Sequence, residues 1–336
     1  MNLTLYHPVK LPVRGYGGVE RVVFWLAKGL AELGVQVRVA AMSGSLLPPG
    51  VALLPLPSND EGDFLSALGK SGASELVHFM APPATATTEK LQSVGVHSLV
   101  TIHGNGKPGE VFADTSVFLT RDHALRHGAD AYVYNGIDPE ELHFEPKCLG
   151  DSFLFLSRTS WSVKNLSGAM ALCRENRQRL RIAGGERPFL LRLRAAWDRR
   201  FAWEGTVDGR RKAELLSQSQ ALLFPIRWPE PFGLVMVESL MSGTPVLATP
   251  FGSVPELLSP ETGIQIGLGD FDRWKWALQE GWRGLKRERC REWAMERFHY
   301  RKMAENYVRF YEKVLNGERI NARTPIATDW RKGAFL

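Results

Sequence analysis

The chain has 336 residues, 44% of them apolar and 23% charged, which is the balance of an ordinary soluble globular protein with enough length for two domains. Its three cysteines (Cys148, Cys173, Cys290) are scattered and form no C-x-x-C pair, so neither a zinc site nor a disulfide framework is expected. Net charge is +6, which favours anionic partners such as phosphates, nucleotides or an anionic membrane surface. No nucleic-acid motif accompanies that charge, and nucleic-acid binding is not expected.

The start, MNLTLYHPVK, lacks the basic-then-apolar plan of a signal peptide, and no window approaches the roughly 20 apolar residues of a membrane span. A cytoplasmic protein is the expectation. LTLYH (3–7) reads as a strand and KLPVRGYGG as a loop; Val19, Val22, Val23, Leu26, Ala27, Leu30 and Leu33 then follow helical spacing up to Gly34. VQVRVA (35–40), VALLP (51–55), ELVHF (75–79), SLVTIH (98–103), SVFLT (116–120) and AYVYN (131–135) are further strands. After the polar stretch 138–152 the pattern restarts. FLFLS (153–157), LRIAGG (180–185), ALLFP (221–225), TPVLATP (244–250) and TGIQI (262–266) read as strands. KNLSGAMALCREN (164–176) and FDRWKWALQEGW (271–282) read as helices, and a helical tail covers 286–315. The basic stretch RPFLLRLRAAWDRR (187–200) reads as a solvated helix face over Leu190, Leu193 and Trp197. Strands alternating with helices predict doubly wound, mainly parallel sheets. Two such α/β units meet near 138–150, with a ligand cleft expected between them.

The segment PEPFGLVMVESL (229–240) carries the chemistry. Pro229 and Pro231 hold Glu230 in a loop, and Phe232-Gly233 opens a helix after strand ALLFP. Ligands of open parallel sheets bind at the carboxyl ends of strands, where free N–H groups near Phe232, Gly233 and Leu234 suit an anion or a sugar hydroxyl. Eight residues turn a helix through about 800°, so Glu238 is offset by only about 80° from Glu230 and both acids can face one cleft. Glu238 also interrupts a nearly all-apolar run, where an unpaired acid is costly.

In its order of motifs the chain resembles the retaining GT-B glycosyltransferases of family 4, the group 1 type. The resemblance rests on Glu230-Pro231-Phe232-Gly233 through Glu238, the family's E-x7-E signature. It extends over SGTPVLATPFGSVPELL (242–258), RIAGG (181–185), EGTVDG (204–209), YNGID (134–138), TIHG (101–104) and GGVERVV (17–23). It covers most of the chain to about residue 315. The resemblance implies a GT-B fold, two Rossmann-like doubly wound domains facing across a cleft. Its implied parts are an acceptor domain (1–145), a nucleotide-sugar domain (146–295), and a helix with a polar tail (296–336) crossing back to the first.

The same resemblance implies that Glu230 holds the hydroxyls of the transferred sugar and Glu238 the donor ribose. Backbone groups of Phe232, Gly233 and Leu234 would contact sugar and phosphate. Arg158 and Lys164, in SRTSWSVKN, would clamp the diphosphate, stabilising charge as the bond breaks. Family members usually carry Gly after that Lys, where Asn165 stands here. Gly17 and Gly18 would approach the donor phosphate, with Arg14 adding charge, and His103 would support the reacting sugar or acceptor. His7 is placed to face the cleft but reads more readily as structural, as does the Asn135-Gly136 turn. No D-x-D or His ligand spacing is present, so no metal and no cofactor are expected. The implied donor is a UDP- or GDP-sugar. The implied acceptor is a sugar or lipid-linked glycan, with peripheral membrane contact if it is lipid-linked. A GT-B-type nucleotide-sugar epimerase and a non-enzymatic nucleotide-sugar-binding protein are the competing readings.

Overall fold

The computed structural model describes residues 1–13, 15, 17–72, 74–185 and 198–332. Arg14 and most of the basic 187–200 stretch, with Leu190, Leu193 and Trp197, lie outside the described residues. The chain divides into two compact units, one of Met1–Ile137 joined by the segment from Phe298, the other of Asp138–Arg297.

In the first unit, β1 (Asn2–Tyr6), β2 (Gln36–Met42), β3 (Ala52–Leu56), β4 (Leu76–Phe79), β5 (His97–Thr101) and β6 (Ser116–Val117) form one sheet. Its strand order is β3-β2-β1-β4-β5-β6, and every pair is parallel, with Leu3 opposite both Val37 and Leu76. That is the doubly wound order, with its switch point between β1 and β4. The helices are α1 (Gly18–Glu32), α2 (Glu61–Lys70), α3 (Thr85–Ser93), α4 (Arg121–Arg126) and, at the far end of the sequence, α11 (Tyr300–Leu315). Asp60 caps α2 by accepting from the Gly62 and Asp63 amides, and Thr120 caps α4 by accepting from His123 N.

α11 is part of this unit's core. Gly29 of α1 lets the two helices cross closely, because a Cβ there would meet the Ala304 methyl at 2.8 Å. Tyr300 Oη donates to Glu32 at 2.8 Å, and Arg301 pairs with the same carboxylate at 3.1 Å. Deeper in, Tyr311 Oη lies 2.8 Å from His78 Nδ1, while Thr101 Oγ1 lies 2.7 Å from His78 Nε2 and 2.8 Å from Tyr307 Oη. All four side chains are buried, so the hydrogen bonds offset what these polar groups lose on leaving water.

The second unit repeats the plan. β7 (Ser152–Leu156), β8 (Arg179–Ala183), β9 (Phe201–Gly205), β10 (Leu222–Phe224), β11 (Val246–Ala248) and β12 (Gly263–Gln265) are ordered β12-β11-β10-β7-β8-β9, again all parallel. Its helices are α5 (Leu166–Glu175), α6 (Gly209–Gln218), α7 (Leu234–Met241), α8 (Val254–Leu257), α9 (Phe271–Gln279) and α10 (Arg287–Phe298), which ends at the boundary with the first unit. Phe153, Phe155, Met170, Ile182, Leu223, Leu247 and Trp274 build the core on one face. The switch point falls between β7 and β10, so the loops leaving these two strands flank the unit's natural ligand crevice.

Two sequence expectations need correction. AYVYN (131–135) is not a strand: only an isolated bridge joins Tyr132 to Phe118, and SVFLT shrinks to the two residues of β6. Both runs are edge chain past β5, where few partners remain for a longer ladder. Strand β9 and helix α6, which the sequence analysis passed over, lie around the EGTVDG motif. Among the described residues no helix is long and apolar enough to cross a membrane.

Candidate active site

The site of the second unit is built where the β7 and β10 loops meet. Arg158 follows β7, and the chain then makes a short turn of 3-10 helix at Ser162–Lys164. Asn165 takes the left-handed conformation (φ 57°) and starts α5. Glycine enters that region freely and Asn does so at small cost. Here the Asn side chain adds two contacts that glycine lacks: Oδ1 accepts from Gly168 N at 3.2 Å, and Nδ2 donates to Pro225 O at 2.8 Å. With Arg227 N donating to Val163 O at 2.8 Å, this ties the β7 loop to the β10 loop.

That tie sets Lys164 against Glu230. Nζ donates to Glu230 Oε2 in a close ion pair whose side chains are only 9% and 10% exposed. Trp228 Nε1 donates to the same oxygen at 2.9 Å, and its ring lies 4.8 Å beneath Nζ. Among the described residues, no hydrogen bond reaches the other carboxylate oxygen, Oε1. Trp161 packs edge-on against Trp228 (6.2 Å) and carries the Arg158 guanidinium 4.8 Å over its ring. Arg158, Trp161, Trp228, Lys164 and Glu230 thus form one continuous cation–aromatic–carboxylate array.

The Glu230 loop is shaped by two glycines. Gly233 (φ 83°) turns the chain into α7 as its N-cap, so the helix begins at Leu234, directly after the Phe232-Gly233 pair expected to open it. Gly252 (φ 61°) packs so tightly that a Cβ would overlap the backbone N and O of Glu230. Ser253 completes the support: its amide donates to Glu230 O at 2.9 Å and its hydroxyl to Phe232 O at 2.7 Å. Phe232 itself is buried, whereas Gly233 and Leu234, at the start of α7, are part-exposed.

Glu238 is buried on α7 and is held by a different cation. Lys212 Nζ, on α6, donates to its Oε1 at 2.5 Å, with both side chains about a tenth exposed. Sequence reasoning missed Lys212. Its only sequence sign is a lysine beside Ala213, Leu215 and Leu216 on the buried face of GRRKAELL.

His103, Gly17 and Gly18 lie in the first unit. Gly17 precedes α1, and a Cβ there would meet Glu20 Oε2 at 2.8 Å, so the acid of the first turn folds back over the helix start. His103 follows β5. Its ring is part-exposed, yet Nε2 is shut away without a hydrogen-bond partner, and burial, with His7 adding to it, lowers its pKa to about 3. His7, after β1, also has a buried unpartnered Nε2 and a pKa lowered by burial, which Glu20 opposes. Both imidazoles are therefore neutral at pH 7. His78, which the sequence analysis did not single out, is lowered to about 3 by the same burial and is spent inside the core.

The crevice geometry coincides with a family match: residues 150–281 fit the model described as glycosyl transferases group 1. Within the second unit, this segment is similar to the group 1 glycosyl transferases. Similar sequences include an uncharacterised 41.2 kDa protein in the cps region of Klebsiella pneumoniae, 34% identical over 113 residues. Another is phosphatidyl-myo-inositol mannosyltransferase of Mycobacterium leprae, 28% identical over 157 residues. The matched segments span 32% and 43% of this chain, and 31% and 42% of those relatives. The fold likeness is wider and reaches past the matched segment into both units. A glycosyltransferase involved in avilamycin A biosynthesis (23% identical, TM-score 0.77) and sucrose-phosphate synthase of Thermosynechococcus elongatus (17%, TM-score 0.78) each align with 94% of this chain and 99% of their own. The fold is that of the GT-B glycosyltransferases.

Proposed function

We propose that the chain transfers a sugar from a nucleoside-diphosphate sugar to an acceptor hydroxyl, in the synthesis of a polysaccharide, lipopolysaccharide or other glycoconjugate. The observation that carries this reading is the buried Lys164–Glu230 pair at the β7/β10 switch point, inside the segment that matches the group 1 family. The pair holds the carboxylate in place through Oε2, which leaves Oε1 for a sugar hydroxyl. The remaining Lys164 protons and the Arg158 guanidinium face the charge that gathers on a departing diphosphate. Fixed cations in a site of low dielectric stabilise that charge more than mobile water does. Glu238, preset by Lys212, takes the donor ribose through Oε2. The first-turn amides of α7 meet the sugar or phosphate.

Retention of configuration, with the leaving phosphate assisting deprotonation of the acceptor, belongs to the same proposal, as does working without a metal. Gly17, Gly18 and His103 serve the phosphate and the reacting hydroxyl from the first unit. A neutral His103 suits a hydrogen bond to a hydroxyl better than a charge contact. A cytoplasmic location, with membrane contact only for a lipid-linked acceptor, completes the picture.

UDP is the first nucleotide to test, because structures of the same fold were solved with it, among them Anabaena HepE with UDP-glucose. Thermal shifts are read against UDP-glucose, UDP-N-acetylglucosamine and GDP-mannose, and release of the nucleotide is then followed with and without glycan acceptors. A bound donor raises the melting temperature with concentration. Glu230→Gln and Lys164→Met abolish turnover on this reading. Unchanged donor turnover in both variants refutes the site. Nucleotide release with the sugar returned as an epimer, independent of acceptor, favours the epimerase instead.

A further inference from the structure

The loop that carries His103 is held by a pair of histidines one helical turn apart. His123 Nε2 lies 3.0 Å from Gly104 O, and His127 Nε2 lies 3.0 Å from Asn105 O. Arg126, between them, donates from Nη1 to Asn105 Oδ1 at 2.9 Å and is itself fixed by Asp122 at 2.7 Å. Two side chains of α4, His123 and Arg126, and that of its C-cap residue His127 therefore grip the two residues that follow His103.

Donor counting assigns the protons. A carbonyl oxygen only accepts, so His123 Nε2 carries the hydrogen toward Gly104 O. Its Nδ1 faces Leu119 N–H at 3.4 Å and is the bare nitrogen. Burial pushes the pKa of this ring well below the ordinary value, consistent with a neutral imidazole. His127 differs. Its Nδ1 lies 2.7 Å from His123 O while its Nε2 faces Asn105 O, so both nitrogens meet acceptors. Only a ring with a proton on each nitrogen satisfies both. The groups facing it are His123 (4.9 Å, edge-on) and Arg126 from its own helix, with the Phe112 and Phe118 rings packed against it; Phe118 is stacked at 5.0 Å. Asp122 offsets the Arg126 charge, and the stacked Phe118 face favours a cationic ring.

We propose that His123 and His127 are positioning residues for His103, their ring N–H groups clamping the Gly104 and Asn105 carbonyls, with His127 acting as the imidazolium. The proposal rests on His103 meeting the substrate, as in the function argued above. A side chain with an unpartnered buried nitrogen has nothing of its own to fix its loop, and the clamp supplies that order from the backbone side. Misplacing a reacting group by about 1 Å can cost about 100-fold in rate, which is the scale on which such a clamp matters.

The test has an arm that needs no activity. Histidine-selective 15N labelling of the full chain and two-bond 15N–1H correlation at pH 7 read each ring's protons. His123 is expected with hydrogen on Nε2 alone, and His127 with hydrogen on both. A neutral His127, or His123 protonated on Nδ1, overturns the assignment. His127→Phe keeps the ring against Phe118 and removes both donors; His127→Gln keeps an amide N–H for Asn105 O. The His103 resonance is expected to move in the Phe variant and return toward wild type in the Gln variant. With the donor selected by the thermal-shift screen, kcat falls at least about 10-fold in His127→Phe, with donor KM within about 2-fold, and partly recovers in His127→Gln. Equal losses in the two variants, or a loss confined to KM, overturn the positioning role. A chain that transfers no sugar fails only the kinetic arm and leaves the labelling result standing.

Discussion

Replacing Lys212 with Met should unsettle the second unit by an amount that can be worked from burial. The Lys212 and Glu238 side chains are 11% and 7% exposed, so their pair belongs with buried bridges, not with surface pairs worth about 1 kcal/mol or less. Removing one member leaves a carboxylate on an apolar helix with Met236, Val237, Leu240 and Met241 buried around it. Breaking a buried pair in this way costs about 3–5 kcal/mol. For a unit of this size, 1 kcal/mol moves the melting temperature by roughly 2–4 °C, giving a drop of about 6–20 °C. Calorimetry of the whole chain reads it as a shift of one of its transitions. The companion variant Lys212→Met/Glu238→Leu removes both charges and should regain most of the loss, because an apolar pair of similar volume replaces a buried bridge at little cost. A loss below about 1 kcal/mol in Lys212→Met, or a double variant as unstable as the single one, refutes the reasoning.

Three further outcomes follow from the same structure. Gly252→Ala drives a methyl into the Glu230 backbone at φ 61°, so it should lower the melting temperature and weaken donor binding together, as read by thermal shift with and without UDP-glucose. Asn165→Ala and Asn165→Gly both lose the cap and the Pro225 contact. Only Ala also pays the left-handed backbone, so in urea titrations Ala should be the less stable by about 1 kcal/mol. His78 has a folded pKa of about 3 against 6.5 in the unfolded chain, so its share of stability is full above pH 6.5 and drains away as pH falls toward 3. At pH 5 the loss is about 2 kcal/mol, and His78→Asn should flatten that part of the stability–pH curve.

Much of this site was legible because its members are near one another in sequence or punctuated by strong local formers. Glu230 and Glu238 share one segment, Pro229 and Pro231 fix the loop, and Gly233 announces the start of α7. Both sheets could be read from apolar runs, since strands buried on two faces have no polar alternation to hide them. Lys212 could not be placed that way. It meets Glu238 across 26 positions of sequence, and its helix looked polar because Arg210, Arg211 and Glu214 surround it. The α4 clamp was hidden for a similar reason: RDHALRH carries so many polar groups that no apolar period marks it as a helix with a buried face. Trp228 was quoted within its loop, yet nothing in the letters says that its indole N–H, rather than its bulk, is what Glu230 uses.

The placement of α11 bears on the order in which the molecule can come into being. The first unit needs Tyr307 and Tyr311 to satisfy His78 and Thr101, and these tyrosines are synthesised only after all of residues 138–297. The second unit is continuous and can close as it leaves the ribosome, whereas the first waits with its sheet face uncovered until the last helix arrives. The part made first is thus the part finished last. Chains stalled with α11 still in the exit tunnel should show a protease-resistant second unit beside a readily cut first one. Equal resistance of both would contradict that order.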